Sequence, residues 1–482
     1  HPDPNTTLRF NWNAAINIDP FDSSTLYFGS QFVHKSTDKG LTWQIISDDL
    51  TTNDPEKQKQ GESGGLTMDA TGAENHCTVL VIEPSPTEKN MLWVGSDDGR
   101  VHITRDGGSN WEDVSKGLKG LPEGSWIAQI KASANNSGEA LLVANDYRRF
   151  NFEPYVYRTK NYGKKWERIV NVSDTESYAL SIVEDKKEPN LLFLGTDDGL
   201  YISLDAGKNW VKWINGFPTV SVKDMVIHPR EDDLVIGTFG RSHWVLDDIR
   251  PLRAMASNPI LIEKPISVFD PPIAYLAAYQ QPTGSRFGGD AMFNGENRNG
   301  GGRLSYYVNI NTSSTATNKD SLHLKIFKGD EEIRHLKREL PKDSGVYTWN
   351  WRLDEKGADR PSRRVRSSKN EPSGATVMPG NYRMVLSRDS IEVTTEMVVS
   401  VDPRIEIDLA GMQEQYDMIK ELEGMQQTAA DAVKQLAESL KIINNYKESM
   451  TSLDEDKYKE IIDQSKKESE AVESLIDLFI GK

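Results

Sequence analysis

Four near-copies of one eight-residue phrase punctuate the first half of the chain, and they constrain its fold more than any other feature. The phrases are S-T-D-K-G-L-T-W from Ser36, T-R-D-G-G-S-N-W from Thr104, T-K-N-Y-G-K-K-W from Thr159 and S-L-D-A-G-K-N-W from Ser203. Each sets Ser or Thr first, Asp or Asn two places on, Gly two further, and Trp eighth. A hairpin turn needs those types: a short side chain that bonds its own backbone two residues on, a Gly where φ turns positive, and a large apolar anchor for the returning strand. Asp38, Asp106, Asn161 and Asp205 are therefore read as turn holders, with Trp43, Trp111, Trp166 and Trp210 as anchors between neighbouring sheets. A carboxylate spent on turn amides is a poor acid or base.

The phrase is an Asp-box, and it recurs every roughly 40 to 70 residues among strand-like runs, which is the period of propeller blades. The runs include T-L-Y-F-G-S, M-L-W-V-G-S, A-L-L-V-A-N and L-L-F-L-G-T. A fifth set, V-K-D-M-V-I followed by L-V-I-G-T and H-W-V-L-D-D-I, keeps the strand rhythm but lacks the box. The expected fold is mainly β: propeller blades over residues 1–255, five of them visible and part of a larger propeller, then a linker or strap over 256–302. Alternating runs such as L-S-Y-Y-V-N-I and L-H-L-K-I-F predict a β-sandwich of immunoglobulin or fibronectin type over 303–402. A helical hairpin follows over 403–482, with Val433, Leu436, Leu440 and Ile443 on one face and a looser stripe of Ile461, Ile462, Leu475 and Phe479. Its turn is expected near Thr451 and Ser452.

Composition narrows the classes. The chain has 482 residues, 37% hydrophobic and 27% charged, which suits several folded domains rather than a disordered tail. A net charge of −16 argues against a nucleic-acid partner. No apolar run approaches the ~20 residues of a membrane span. The one cysteine, Cys77, excludes an intramolecular disulfide framework and reads as a small buried hydrophobe. No Cys/His cluster, H-E-x-x-H, Walker loop or Ca²⁺ loop is present, so neither metal nor cofactor is expected. The chain starts at His1, without Met or signal peptide, and reads as processed or excerpted.

The boxes, the phrases G-S-D-D-G-R-V-H-I-T-R-D-G-G and G-T-D-D-G-L-Y-I-S-L-D-A-G, and G-T-F-G-R-S-H-W-V-L-D-D-I-R-P-L resemble large secreted bacterial proteins of Bacteroidetes type with neuraminidase repeats, labelled glycosyl hydrolase or sortilin-like. The resemblance is strong over His1 to Leu252 and looser beyond. It implies an extracytoplasmic location and a longer protein of which this is the C-terminal half. The expected partners are N-terminal blades, from the same precursor or a partner chain, and a polysaccharide, peptide or surface protein.

Strands alternate direction, so the loops between second and third strands share the face opposite the boxes. They carry Gln31 and His34, then Asp97, Asp98 and Arg100, then Asp146, Tyr147, Arg148 and Arg149, then Asp197 and Asp198, and last Arg241 and His243. The excursion from Ser47 to His76 is expected to overhang that face. Loops on a rigid scaffold collect binding residues. Each D-D-G is also ordinary hairpin chemistry, with Gly99 and Gly199 supplying positive φ. Arg148 and Arg149 suit a carboxylate or sulfate.

Two classes stay open. One is a binding or scaffolding module; the other is a glycoside hydrolase with Asp98 and Asp198 as candidate carboxylates. Glycosidases generally need two carboxylates ~5–9.5 Å apart, or a tyrosine nucleophile in sialidases. The F/Y-R-I-P motif of sialidases is absent. Similarity to two-propeller xyloglucanases implies a cleft between propellers, with half of it outside this chain.

Overall fold

Each box phrase closes the hairpin between the third and fourth strands of a small antiparallel sheet, and the sheets follow one another along the chain. The computed structural model describes residues 6–59, 75–277, 298–311, 321–363 and 371–481. They fall into two compact units, His1–Pro259 and Ile260–Lys482. Part of the expected overhang, 60–74, and part of the expected strap, 278–297, lie outside the described residues.

The first unit is a stack of propeller-like sheets. The first sheet holds β1 (Ile16–Asp19), β2 (Asp22–Gly29), β3 (Val33–Ser36) and β4 (Gln44–Ile45); the second holds β5 (Val79–Pro84), β6 (Leu92–Ser96), β7 (Val101–Thr104) and β8 (Glu112–Asp113). The third comprises β9 (Trp126–Ala132), β10 (Ala140–Asp146), β11 (Asn151–Thr159) and β12 (Trp166–Arg168). The fourth comprises β13 (Ala179–Glu184), β14 (Leu192–Thr196), β15 (Gly199–Ser203) and β16 (Val211–Lys212). A fifth sheet has three strands, β17 (Val222–Ile227), β18 (Leu234–Thr238) and β19 (His243–Leu246), and leads into α1 (Arg250–Ser257). The sequence reading did not anticipate α1. Its Arg253 grips Asp185 of the fourth sheet through two bonds, of 2.8 and 2.6 Å.

The boxes share one bonding scheme. In the first, Ser36 Oγ donates to Asp38 Oδ1 and accepts from the Gly40 amide, both at 2.8 Å, while Asp38 Oδ1 also takes the Thr42 amide at 2.8 Å. Thr104 with Asp106, Thr159 with Asn161 and Ser203 with Asp205 repeat it. The fifth residue is glycine each time because φ there is between 78° and 99°. Three of the four tryptophans dock on the preceding sheet's territory. The indole N–H groups of Trp111 and Trp210 donate to the carbonyls of Ile46 and Ile169, and buried Trp166 meets Trp93 edge-on at 5.8 Å.

Apolar residues on facing sheets fill the space between them. Ala15, Tyr27 and Val33 of the first sheet's side meet Val79, Ile82, Leu92 and Val94 of the second. Trp93, Val101 and Ile103 face Ile127, Ile130, Leu142 and Tyr157 of the third, and Leu141, Val143 and Val156 face Ile182, Leu192 and Leu194 of the fourth. A middle sheet is thus covered on both faces, which is why β6 and β14 are buried at every residue. Among the described residues no strand of the fifth sheet pairs with one of the first.

In the second unit two sheets enclose one core. One contains β20 (Ile266–Val268), β22 (Gly302–Val308) and β25 (Gly345–Trp351). The other contains β21 (Ala274–Leu276), β23 (Ser321–Lys328), β24 (Glu331–Glu339), β28 (Gly380–Arg388) and β29 (Ile391–Val401). A short pair, β26 (Asp354–Lys356) and β27 (Ser373–Thr376), lies outside them. Leu304, Tyr306 and Trp351 of the first sheet meet Leu324, Tyr382 and Met384 of the second. The stretch expected as linker therefore contributes β20, β21 and the start of β22 to the sandwich. Next come α2 (Leu409–Asp454), capped by Asp408, and α3 (Lys459–Ile480). The hairpin turns at 455–458, later than expected, and the buried stripe of α3 is Ile462 and Ile476 rather than Ile461, Leu475 and Phe479, which are exposed. Among the described residues no helix is long and apolar enough to cross a membrane.

Two measurements check this packing. T-L-Y-F-G-S and M-L-W-V-G-S occupy the same place in their sheets, so Ile16, paired with Phe28, corresponds to Ile82, paired with Val94. Ile16 is 68% exposed and Ile82 3%. In chemical denaturation Ile82→Ala should cost roughly 2–5 kcal/mol, and Ile16→Ala no more than about 0.5 kcal/mol.

The second uses acid. Bonds from Thr42 and Asn110 hold the Asp38 and Asp106 carboxyls at about 2, below the ordinary 3.8. Groups with depressed folded pKa values stabilise above the unfolded value, and that contribution disappears as pH falls through the folded one. Replacing both with Asn, the residue already present at position 161, should flatten the fall in melting temperature between about pH 4 and pH 2.

Candidate functional site

Antiparallel strands reverse at every turn, so the loops joining second to third strands gather opposite the boxes. On that face the described part of the excursion after Ser47 is tied down by carboxylates. Asp98 accepts the Thr52 amide at 2.7 Å and hydroxyl at 2.6 Å, and the Ser96 hydroxyl at 2.5 Å. Burial opposes its charge, but the Ser96 and Thr52 bonds win and keep its carboxyl below the usual range. Asp97 accepts the amide and hydroxyl of Thr78 at 2.9 and 2.6 Å; burial pushes its carboxyl up. Arg9 joins the same staple, with Asp49 at 2.6 Å and the Cys77 carbonyl at 3.1 Å. Gln31 accepts the Arg9 amide, and His34 is buried against the Ser30 hydroxyl at 2.7 Å.

The fourth sheet repeats the theme. Asp198 pairs with Lys212 at 2.7 Å and accepts Thr196 and Tyr201 hydroxyls at 2.5 and 3.1 Å. Burial again works against ionisation, and the Lys212, Thr196 and Tyr201 contacts overcome it. Asp197 accepts the Ser221 hydroxyl of the fifth sheet's approach. Both Asp98 and Asp198 are thus held ionised while bracing loops.

The third sheet's loop differs. Asp146 is spent on Arg149, at 2.5 Å, so the paired arginines do not act alike. Arg148 has its guanidinium 3.3 Å from the centre of the Trp126 ring and 4.5 Å from that of Tyr147, and donates to Asn145 Oδ1 at 3.4 Å. No ion pair to a carboxylate holds it among the described residues, and although the residue as a whole is exposed, its guanidinium is partly covered by the two rings. Burial of the guanidinium among these groups draws its pKa down. Tyr147 stacks on Tyr178 at 4.6 Å, and Phe152 leans on Tyr178 at 6.0 Å. Lys223 lies in the electrostatic field of Arg148 and Asp197, and burial lowers its pKa first of all. A cation fixed on aromatic faces keeps its outward N–H groups for an acceptor, and aromatic rings beside a few polar groups are the usual lining of a ligand site.

The other sequence candidates stand apart. Arg100 pairs with Asp113 at 3.2 Å. Arg241 and His243 are exposed on the fifth sheet, where the Arg241 carbonyl accepts the Trp244 indole and His243 Nδ1 meets Ser242 Oγ at 3.4 Å. Sequence reading missed Trp126, Tyr178, Phe152 and Lys223. Trp126, Tyr178 and Lys223 stand at or beside the start of a sheet's first strand, next to the loop face. Among the described residues no group of three or more His, Cys, Asp or Glu could hold a metal ion.

No known family model matches the chain. Over 126 residues it is 32% identical to an oligoxyloglucan-reducing end-specific xyloglucanase of Emericella nidulans, covering 24% of this chain and 14% of that protein. The chain thus spans about a seventh of that relative. Similar solved structures include the GH74 enzyme of Niastella koreensis (16% identity, TM-score 0.35, 48% of this chain and 36% of that one). The GH74 xyloglucanase of Xanthomonas campestris has the same identity, with TM-score 0.36 over 49% and 36%. YCF48 from Cyanidioschyzon merolae is 14% identical, with TM-score 0.32 over 51% and 69%.

Asp98→Ala should destabilise the protein by about 1–3 kcal/mol, because it strands buried donors, and should speed amide exchange at Thr52. Arg149→Ala, losing a partly exposed pair, should cost roughly 1 kcal/mol or less. Equal effects would assign the two loops the same role.

Proposed function

We propose that the chain is an extracytoplasmic glycan-binding module, and that the loop face of its first unit holds a xyloglucan-type polysaccharide. The observation that carries this reading is the Trp126–Arg148–Tyr147–Tyr178 array, in which a cation that no carboxylate of the described residues pairs with is clamped beside stacked rings. Sugar rings present apolar C–H faces and hydroxyl edges, which suit aromatic surfaces and guanidinium donors respectively. The similarity to a xyloglucanase supports the choice of polymer. The two-sheet fold of the second unit is read as an immunoglobulin- or fibronectin-like docking domain.

A hydrolase is the second reading, favoured by that same similarity. It would draw on Asp98 and Asp198, but both are held ionised and engaged, so neither offers the proton a leaving group needs.

Calorimetric titration with xyloglucan oligosaccharides, cello-oligosaccharides and a peptide mixture separates these outcomes. Binding should be confined to the glycans, and Trp126→Ala or Tyr178→Ala should weaken it at least about tenfold, or ~1.4 kcal/mol, without lowering the melting temperature comparably. Binding only to peptides, or glycan binding indifferent to both substitutions, would overturn the assignment. Release of new reducing ends, abolished by Asp98→Asn or Asp198→Asn, would establish the hydrolase instead.

A further inference from the structure

The two sheets of the second unit end beside each other on edge strands, and a cation-lined cleft lies between them. β24 is the last strand of the five-stranded sheet and β25 the last of the three-stranded one. Arg334, Leu336 and Arg338 of β24 pair with Ile326, Leu324 and Leu322, whose side chains are fully buried, so these three lie on the inner face of the sheet. Trp349 of β25 pairs with Leu304 of the same core. The cleft measures 540 Å³ and is lined by cationic Arg334, Lys337, Arg338 and Arg352, with Asn350 and Ser373 as neutral polar groups.

Four cations gathered in a chain of net charge −16 run against its overall field. The two carboxylates of the lining, Asp354 and Glu371, are engaged. Asp354 pairs with Arg334 at 3.3 Å and accepts the Ser373 hydroxyl, and Glu371 accepts the His335 amide at 2.8 Å and lies 3.9 Å from Lys356. Arg338 rests 4.5 Å from the centre of the Trp349 ring, and one of its nitrogens donates to the Thr348 carbonyl at 3.0 Å and the Tyr306 hydroxyl at 3.3 Å. No carboxylate of the described residues pairs with Lys337, Arg338 or Arg352. Cations on edge strands also deter edge-to-edge pairing, but that role asks only for charge at the edge. It does not account for Arg334, which is 6% exposed and whose Nε is buried without a hydrogen-bond partner among the described residues. A buried donor left unpaired is costly, and a ligand acceptor in the cleft would remove that cost.

We propose that this cleft is a second ligand site, which takes an acidic saccharide by its carboxylate. The cations call for an anion, and planar guanidinium groups match a carboxylate with paired N–H donors. A cleft of 540 Å³ has the size of a small-molecule site rather than of a bare ion's cradle. Its Asn350 and Ser373 side chains offer partners to hydroxyl groups, so the body that carries the carboxylate is polyhydroxylated rather than apolar. The site belongs to the second unit and does not rest on the reading of the first unit's loop face.

Calorimetric titration of the full chain with digalacturonate, its neutral methyl ester and inorganic sulfate tests the site. Digalacturonate should bind, more weakly as ionic strength rises, and the ester and sulfate should each bind at least about tenfold more weakly. Lys337→Gln combined with Arg352→Gln removes two exposed cations, so it should leave the melting temperature unchanged and weaken digalacturonate at least about tenfold. Arg334→Lys keeps the charge but loses the fork, and should weaken binding as well. Trp126→Ala, in the first unit, should have no effect on this ligand. The proposal is overturned by an absence of digalacturonate binding, by equal affinity for acid and ester, or by sulfate binding as tightly as the saccharide, which would leave a site for a bare anion only. Binding indifferent to the double substitution, or lost with Trp126→Ala, would place the acid elsewhere and overturn it too.

Discussion

Apolar contact between successive sheets is the interaction on which the first unit depends. A four-stranded sheet of this size, with a fourth strand of two or three residues, cannot bury enough surface alone, and a middle sheet gains its stability by being covered twice. That dependence explains why β6 and β14 carry apolar residues on both faces while the hairpins at each end are strongly polar. It also explains the box. Its hydroxyl and carboxylate satisfy the turn internally, so that the tryptophan can cross to the neighbouring sheet.

How far the sequence could be read follows from how local each feature is. The boxes were legible because the bonds of their hydroxyl and Asp or Asn side chains span four residues or fewer, and the strands flanking them because alternation and glycine punctuation are local as well. β24 was not legible: E-E-I-R-H-L-K-R-E is an edge strand with a register shift near Ile333, and its charges obscure the alternation. β20 and β21 are three-residue pieces within a Pro-rich stretch, recognisable only through the sheets they join. In α3 the apolar residues Ile461 and Ile462 are adjacent, and the periodicity alone did not tell which one faces α2.

The site shows the same division. The bond between Arg149 and Asp146 is three residues long and could have been read from the spacing. The stack of Tyr147 on Tyr178 joins residues from different sheets, and Trp126 reaches Arg148 across its own sheet's register, so neither contact has a signal in the linear pattern. Acidic residues that looked chemically prominent became braces because folded hydroxyls and amides came to them. Aromatic residues that the linear pattern did not single out, Trp126, Tyr178 and Phe152, came to line the candidate site beside Tyr147.

The long hairpin of the second unit has a mechanical consequence. Its polar links to the rest of the second unit lie on the first half of α2, where Tyr416 and Lys420 hold Glu355 at 2.6 and 3.0 Å and Gln427 accepts the Asp359 amide at 2.8 Å, and at the end of α3, where Asp477 pairs with Arg363. From Thr428 to Asp454 the helix rises roughly 40 Å at the usual ~1.5 Å per residue, braced there by α3. Such an arm is a cantilever: a load applied at its tip reaches its base multiplied by its length, and Glu355 and Arg363 are among the residues that hold that base.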